Sequence, residues 1–111
     1  MSFFYDRIEM LELFDEEKII DEEVKIVFYL IKDKNAALSM YLSPYEGIVC
    51  LILNIKAPNV CIGEIRLGDI GKMYIDRGIP GVIKLLFFKE NQEEPLAILM
   101  IKPEISLHCN F

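Results

Sequence analysis

From Val24 to the C-terminus, turn residues divide the sequence into short apolar segments, and this division constrains the fold more than any other feature. The segments have strand length and recur roughly every 8–14 residues, a spacing typical of antiparallel sandwiches and barrels. A parallel α/β sheet would need crossover helices of about ten or more residues, for which there is no room. We therefore predict a mainly β protein, an antiparallel β-sandwich or open barrel of about 7–8 short strands, optionally with one short N-terminal helix.

The predicted strands are short segments separated by turns, and these turns contain residues such as Gly, Pro, Asn and Asp. The segments are Val24–Lys32, Ala37–Leu42, Gly47–Ile55, Val60–Leu67, Lys72–Asp76, Val82–Lys89, Leu96–Ile101 and Glu104–Phe111. Because Gly47–Ile55 is apolar almost throughout, we predict a strand buried on both faces. Glu104–Phe111 alternates instead, which places Leu107, Cys109 and Phe111 on one face and His108 on the other.

The first 23 residues fit two patterns. A helical face would combine residues spaced four, three and three apart, namely Phe4, Ile8, Leu11 and Phe14. The apolar residues of the same stretch do not alternate cleanly as a strand would. We predict a strand or extended arm over Phe3–Phe14 and a short helical turn near Asp15–Ile20.

The negative charge is concentrated near the N-terminus. The chain has 12 basic and 18 acidic residues, a net charge of −6. Residues 6–23 hold nine of these acids and only two bases, so the rest of the chain has a net charge of +1. Such a patch repels DNA, RNA and anionic membrane surfaces and attracts a basic partner. A solvated edge that only keeps the protein soluble is the other interpretation.

Groups that could catalyse a reaction are scarce. His108 is the only histidine, and neighbouring side chains of a strand point to opposite faces, so His108 and Cys109 do not form a nucleophile–base pair. The sequence has no phosphate-binding glycine loop and no CxxC motif, and the acids of residues 15–23 lack EF-hand spacing. We predict a protein that is not an enzyme and has no cofactor and no metal site.

Length and cysteine content indicate one domain in a reducing compartment. The 111 residues fit a single domain, residues 1–111. Cys50, Cys61 and Cys109 cannot all pair within one chain, and the charged N-terminus does not fit a signal peptide. The longest uncharged apolar run, Gly47–Ile55, is far shorter than the roughly 20 residues of a membrane span. We expect a cytoplasmic protein with reduced thiols.

Binding of another protein is the function that these exclusions leave. Tyr45 lies in the turn Ser43–Gly47, so we expect it to be exposed, and tyrosine is enriched where interfaces concentrate their energy. Tyr29, Tyr41 and Tyr74 suit an interface or the core equally well. The predicted partner-binding residues are Asp15, Glu16, Glu17, Asp21, Glu22, Glu23 and Tyr45.

A small acidic chain without catalytic groups, with the run DEEKIIDEE at residues 15–23, resembles the immunity proteins of bacterial contact-dependent growth inhibition and polymorphic toxin systems. The resemblance implies a 1:1 complex with a cognate toxin domain, commonly a basic nuclease such as an RNase, which the immunity protein neutralises. The acidic surface would mimic the phosphates that the toxin binds, or cover its active site. Direct binding of nucleic acid or membrane is not expected.

Two alternatives from other classes stay open. One is a structural or adaptor β-module that associates with itself through an exposed apolar sheet face. The other is a β-barrel that binds a small ligand in a cavity between its strands.

Overall fold

The computed structural model describes residues 3–34, 36–55 and 60–109, with residues 55 and 60–62 described by their backbone alone. The elements in this part of the chain are α1 (Arg7–Leu13), β1 (Glu16–Asp21), β2 (Ile26–Lys32), β3 (Ala36–Ser43), β4 (Ile48–Ile55), β5 (Val60–Leu67), β6 (Ile70–Asp76), β7 (Ile83–Lys89), β8 (Ala97–Lys102) and β9 (Ser106–Cys109). No helix among these residues is long and apolar enough to cross a bilayer.

The strands form two antiparallel sheets, and each sheet is a simple meander. Strands β1 to β5 make a five-stranded sheet and β6 to β9 a four-stranded sheet, and in both the spatial order follows the chain. Neighbouring strands are joined by short connections, as antiparallel pairing allows. The mainly β fold predicted from the sequence is confirmed.

The described part of the chain contains nine strands, one more than the upper end of the predicted number. Every segment predicted as a strand contains one, and a ninth strand, β1, lies in the acidic segment. It pairs with β2 in a register that sets Glu17 opposite Tyr29 and Lys18 opposite Phe28. Glutamate is unfavourable in strands, so pairing with β2 and not local propensity accounts for β1.

The prediction for the N-terminal residues was wrong in both parts. Helix α1 lies where an extended arm was predicted, and β1 lies where a helical turn was predicted. Asp6 begins the helix, because its Oδ1 accepts hydrogen bonds from the backbone N–H groups of Ile8 (3.0 Å) and Glu9 (3.2 Å), the usual role of an N-cap aspartate. Met10 is the buried residue of α1. Ile8, which belongs to the helical face described from the sequence, is 70% exposed.

The core lies between the two sheets. Burial alternates along the strands, most clearly in β3, because successive side chains point to opposite faces. The largest fully buried side chains come from both sheets and from α1: Tyr29, Phe87, Met10, Leu38, Met40, Leu42, Leu51, Leu67, Met73, Leu85, Leu99 and Ile101.

Strand β4 is buried on one face, not on two as its sequence predicted. Val49 and Leu51 face the core, whereas Cys50 and Ile52 are half-buried on the opposite face of the sheet. That outer face is therefore more apolar than a solvated sheet surface usually is.

Strand β9 follows the predicted alternation. Leu107 and Cys109 pack against the core, and His108 is exposed. Phe111, which the alternation also assigned to the inner face, lies outside the described residues.

The N-terminal segment connects the two sheets. The N–H of Phe4 donates to the carbonyl of Gly71 (3.0 Å), and Phe4 forms a parallel bridge with Lys72 of β6. After α1, the N–H of Asp15 donates to the carbonyl of Leu30 in β2 (2.8 Å). Before the helix the chain thus bonds to the four-stranded sheet and, through the N–H of Phe3 and the carbonyl of Pro44 (2.9 Å), to the turn after β3 of the five-stranded sheet; after the helix it joins β2.

Candidate functional site

Two turns that carry predicted binding residues lie at the same end of the five-stranded sheet. In a meander, alternate turns return to the same end, so the β1–β2 turn (residues 22–25) and the β3–β4 turn (residues 44–47) are neighbours. Two strand spacings separate them, about 10 Å. The structure therefore brings Asp21, Glu22 and Glu23 close to Tyr45.

Asp21 shapes the β1–β2 turn. Its Oδ1 accepts hydrogen bonds from the backbone N–H groups of Glu23 (2.9 Å) and Val24 (3.1 Å), which is a local turn-forming role typical of aspartate. Glu22 and Glu23 are exposed, and Glu22 forms a long ion pair with Lys25, at 3.9 Å. The turn thus presents carboxylates to solvent while Asp21 holds its backbone.

Tyr45 is displayed by a tight turn. Its side chain is 52% exposed, as predicted. The N–H of Gly47 donates to the carbonyl of Pro44 (3.3 Å), and the Ser43 hydroxyl donates to Glu46 Oε1 (3.0 Å). Gly47 has φ +67°, a conformation that costs little only for glycine. These contacts fix the turn and leave about half of Tyr45 exposed to solvent.

A pocket of about 260 Å³ lies beside Tyr45, and three acidic residues from separate turns, Glu46, Asp69 and Glu90, contribute to its lining. The N–H of Glu90 donates to the carbonyl of Asp69 (3.2 Å), which holds the turn after β7 against the turn before β6. Residue 71 must be glycine for this approach, because a Cβ atom there would lie 2.8 Å from the Cα of Glu90.

We refer to these residues together as the acidic end. It consists of Asp21, Glu22, Glu23, Tyr45, Glu46, Asp69 and Glu90. The last three were not predicted, because they are isolated in sequence and meet only through the topology. The alternation of turns in a meander is the signal that could have placed Glu46 beside the β1–β2 turn.

Two of the predicted binding residues lie away from the acidic end. Asp15 and Glu16 stand at the opposite end of β1, next to the end of β2. Asp15 Oδ2 accepts a hydrogen bond from the N–H of Lys32 (2.9 Å), and both acids are exposed. The acidic segment is therefore not one continuous patch.

Glu17 points inward and is held by two partners. Its carboxylate accepts hydrogen bonds from Arg7 Nε (3.0 Å) and Nη2 (2.6 Å) and from the Tyr29 hydroxyl (2.6 Å). The Glu17 side chain is 10% exposed. Hydrogen bonds from Arg7 lower the pKa of Glu17, and burial raises the pKa of Tyr29. This network ties α1 to β1 and β2, so we leave Glu17 out of the acidic end.

The network predicts an acid-dependent loss of stability. Replacing Glu17 with Gln is expected to lower the free energy of unfolding at pH 7 by about 2 kcal/mol, because a charged acceptor of several hydrogen bonds is lost. A lowered folded-state pKa contributes stability above the unfolded value of 4.5, and this contribution disappears as the pH falls through the folded pKa. Urea denaturation at pH 7 and at low pH measures the difference, which should shrink in acid.

The exposed neighbour Glu16 supplies the control for this prediction. Replacing Glu16 with Gln removes the same charge from the same strand and is expected to change stability by less than about 0.5 kcal/mol. Equal effects of the two substitutions would show that the network of Glu17 does not stabilise the fold.

An apolar cleft of about 640 Å³ opens between the sheets at the end opposite Tyr45. Its walls include Leu38, Leu51 and Leu99 from the inner faces. Asp33 links the sheets there, since its carboxylate accepts hydrogen bonds from the N–H groups of Ala36 (2.7 Å) and Ile105 (3.3 Å). This cleft is the feature that corresponds to the predicted alternative of a small-ligand site.

The described residues show no arrangement of reactive groups. His108 is exposed on β9, and burial raises the pKa of the Cys50 and Cys109 thiols, which disfavours the nucleophilic thiolate. Within the described part of the chain, no group of three or more His, Cys, Asp or Glu side chains could hold a metal ion. The side chain of Cys61 lies outside this description.

The structure is similar to a chain from a contact-dependent growth inhibition toxin–immunity protein complex of Klebsiella pneumoniae 342. The two share a fold. The superposition has a TM-score of 0.76, with 16% sequence identity, and covers 99% of this chain and 98% of the other. No family model matches the sequence, and no curated protein matches it. The resemblance to growth-inhibition immunity systems that the sequence suggested is thus confirmed at the level of fold.

The acidic end is suited to binding a cationic surface. Carboxylates from three turns line the pocket beside the exposed Tyr45, whose ring can pack against a partner while its hydroxyl forms a hydrogen bond. Such charge clusters accelerate the encounter with an oppositely charged protein, and the aromatic contact slows dissociation.

Proposed function

We propose that this protein is a cytoplasmic immunity protein that binds and neutralises a cognate toxin domain, a basic nuclease such as an RNase, in a 1:1 complex. The observation that carries the proposal is the fold shared with a chain of the Klebsiella growth-inhibition complex over nearly the whole length of both chains. Near-complete coverage in both directions supports a common role for the whole chain, not for an inserted module.

The immunity role fits this chain better than the toxin role. A nuclease toxin needs a general base or a metal site to cleave a phosphodiester. The single histidine is exposed. Burial raises the pKa of the Cys50 and Cys109 thiols, which favours the neutral, less nucleophilic form. The chain is therefore proposed to inhibit and not to catalyse, and to need no cofactor.

The negative charge of the acidic end supports a basic protein as the partner. A nuclease binds a polyanion and is accordingly basic around its active site. The acidic end offers several carboxylates, with Glu22 and Glu23 on one turn and Glu46, Asp69 and Glu90 around the neighbouring pocket. The proposed contact is made by these residues together with Tyr45, and Asp21 acts by holding its turn.

The first test is whether a toxin domain is encoded immediately upstream of this protein, and the second is protection against that domain and binding to it. Expression of the toxin domain alone is expected to stop growth, and co-expression of this protein to restore it. Purified together, the two should form a 1:1 complex with a Kd of about 1 nM or tighter, which is about −12 kcal/mol. A toxin domain of an unrelated system is the control. Failure to bind, or protection against both toxins alike, would overturn the proposal.

A further inference from the structure

The outer face of the five-stranded sheet has an apolar centre and charged edges. Phe28, Tyr41, Cys50 and Ile52 are half-buried there, with the rings of Phe28 and Tyr41 5.0 Å apart. In the described part of the chain the other sheet and α1 pack on the opposite, inner face. This outer face therefore has the composition of an interface core without a covering layer.

Strand register orders this face into two rows that run across the sheet. The first row is Lys18, Phe28, Tyr41, Cys50 and Arg66. The second row is Glu16, Leu30, Ser39, Ile52 and Glu64. Each row begins on β1 and ends on β5, and the rows are about 7 Å apart because they are two residues apart along every strand.

The charges at the row ends have a simple symmetry. The first row ends in a cation at both edges of the sheet and the second row in an anion at both edges, and all four side chains are exposed. Consider a second copy that lies face to face with the first and is related to it by a two-fold axis parallel to the rows and midway between them. The first row of each copy then lies over the second row of the other copy. Lys18 would then face Glu16 of the other copy, and Arg66 would face Glu64.

We propose that this face binds a second copy of this chain, as an isologous dimer about that axis. The apolar centres match under the same operation, with Phe28 over Leu30 and Cys50 over Ile52. Strands of the two copies stay nearly aligned, as they do when two twisted sheets pack face to face. The same arrangement gives four intermolecular ion pairs at the rim of an apolar contact.

The area of the outer face determines how tightly the two copies are expected to bind each other. Five strands at about 4.8 Å by seven residues at about 3.3 Å give roughly 550 Å² per copy. Two copies bury about 1,100 Å², the lower limit for a specific interface, so a Kd in the micromolar range is expected. The acidic end stands at the end of the sheet and not on this face, so the dimer is independent of the proposed function.

Charge reversal tests the pairing directly. The first variant, Lys18→Glu with Arg66→Glu, makes all four rim charges negative, and the second, Glu16→Lys with Glu64→Lys, makes them all positive. Each is expected to dimerise at least about 100-fold more weakly than the unmodified protein, because like charges then face each other. An equimolar mixture of the two is expected to form a heterodimer of near-original strength. Sedimentation equilibrium over a concentration series measures all four samples.

A matched control changes the same charge elsewhere. Lys89→Glu with Lys102→Glu places two exposed charge reversals on the other sheet and should leave dimerisation unchanged. Circular dichroism melting curves establish that every variant is folded. A monomeric unmodified protein at all concentrations, or a mixture of the two rim variants that stays monomeric, overturns the dimer. Either result leaves binding of a toxin domain untouched, so the two proposals fail separately.

Discussion

Replacing Glu22, Glu23 and Glu46 with Gln is expected to slow association with the proposed toxin partner about 10- to 100-fold at low salt. These three carboxylates lie at the acidic end, on two neighbouring turns of the sheet. Gln keeps the size of the side chain, and at position 46 it keeps the oxygen that accepts the Ser43 hydroxyl. Asp21 is left in place because its carboxylate holds the β1–β2 turn.

The rate constants separate this effect from a general loss of contact. Steering by charge acts on the encounter, so the association rate should fall while the dissociation rate changes little. The dependence of the association rate on salt should also flatten, since exposed charges are screened over about 10 Å at 0.1 M. Stopped-flow mixing at several salt concentrations gives both quantities.

A variant that neutralises three other exposed acids is the control for the change in net charge. Glu12→Gln, Glu16→Gln and Glu104→Gln remove the same total charge from places outside the acidic end. This variant is expected to lose less than about threefold in association rate, because steering depends on where charge is placed. Equal slowing by the two triple variants would mean that the acidic end is not the contact surface.

The fold was predictable from the sequence because its determinants are local. Segments such as Ala37–Leu42 and Val82–Lys89 combine strand-forming residues with turn residues at their ends, and each forms a strand. Strand β1 was missed because Glu17 occupies an inward position that an apolar residue would normally fill. Its burial depends on Arg7 and Tyr29, which are 10 and 12 residues away, so no local pattern signals it.

The candidate site was predictable only in part. A tyrosine in a Pro–Gly turn is exposed for local reasons, so Tyr45 was found. A charge count along the chain cannot tell an inward carboxylate from an outward one, which is why Glu17 was grouped with Glu16. Asp69 and Glu90 lie at the site because two turns that are distant in sequence contact each other. A local sequence pattern does not predict this contact, because it depends on the order of the strands in the fold.

The strand register also shows that the acidic run of the sequence contributes to two different surfaces. Glu16 and Glu22 belong to one acidic run in sequence, yet they stand at opposite ends of β1. Glu16 lies at the rim of the apolar sheet face, whereas Glu22 lies at the acidic end. The two proposed contacts, with a second copy and with a basic protein, therefore use different surfaces of the molecule.

Tyr29→Ala is expected to destabilise the protein by about 4 kcal/mol, the largest effect of any substitution considered, because a fully buried aromatic ring leaves a cavity that the sheets fill only partly. The ring packs against Phe14, with centroids 5.3 Å apart, so its loss also loosens the segment that follows α1. Chemical denaturation at pH 7, with the same denaturant slope for both proteins, measures the change.

Tyr29→Phe separates the ring from its hydroxyl. It keeps the packing and removes only the hydrogen bond to Glu17, so a loss of about 1 kcal/mol is expected. Because burial raises the pKa of Tyr29 in the folded protein, the native tyrosine contributes stability that is fully present below pH 10.0 and declines at higher pH as the unfolded chain ionises. Tyr29→Phe should lack that alkaline decline. If Phe and Ala at position 29 destabilise the protein equally, the hydroxyl network and not the buried ring holds α1 in place.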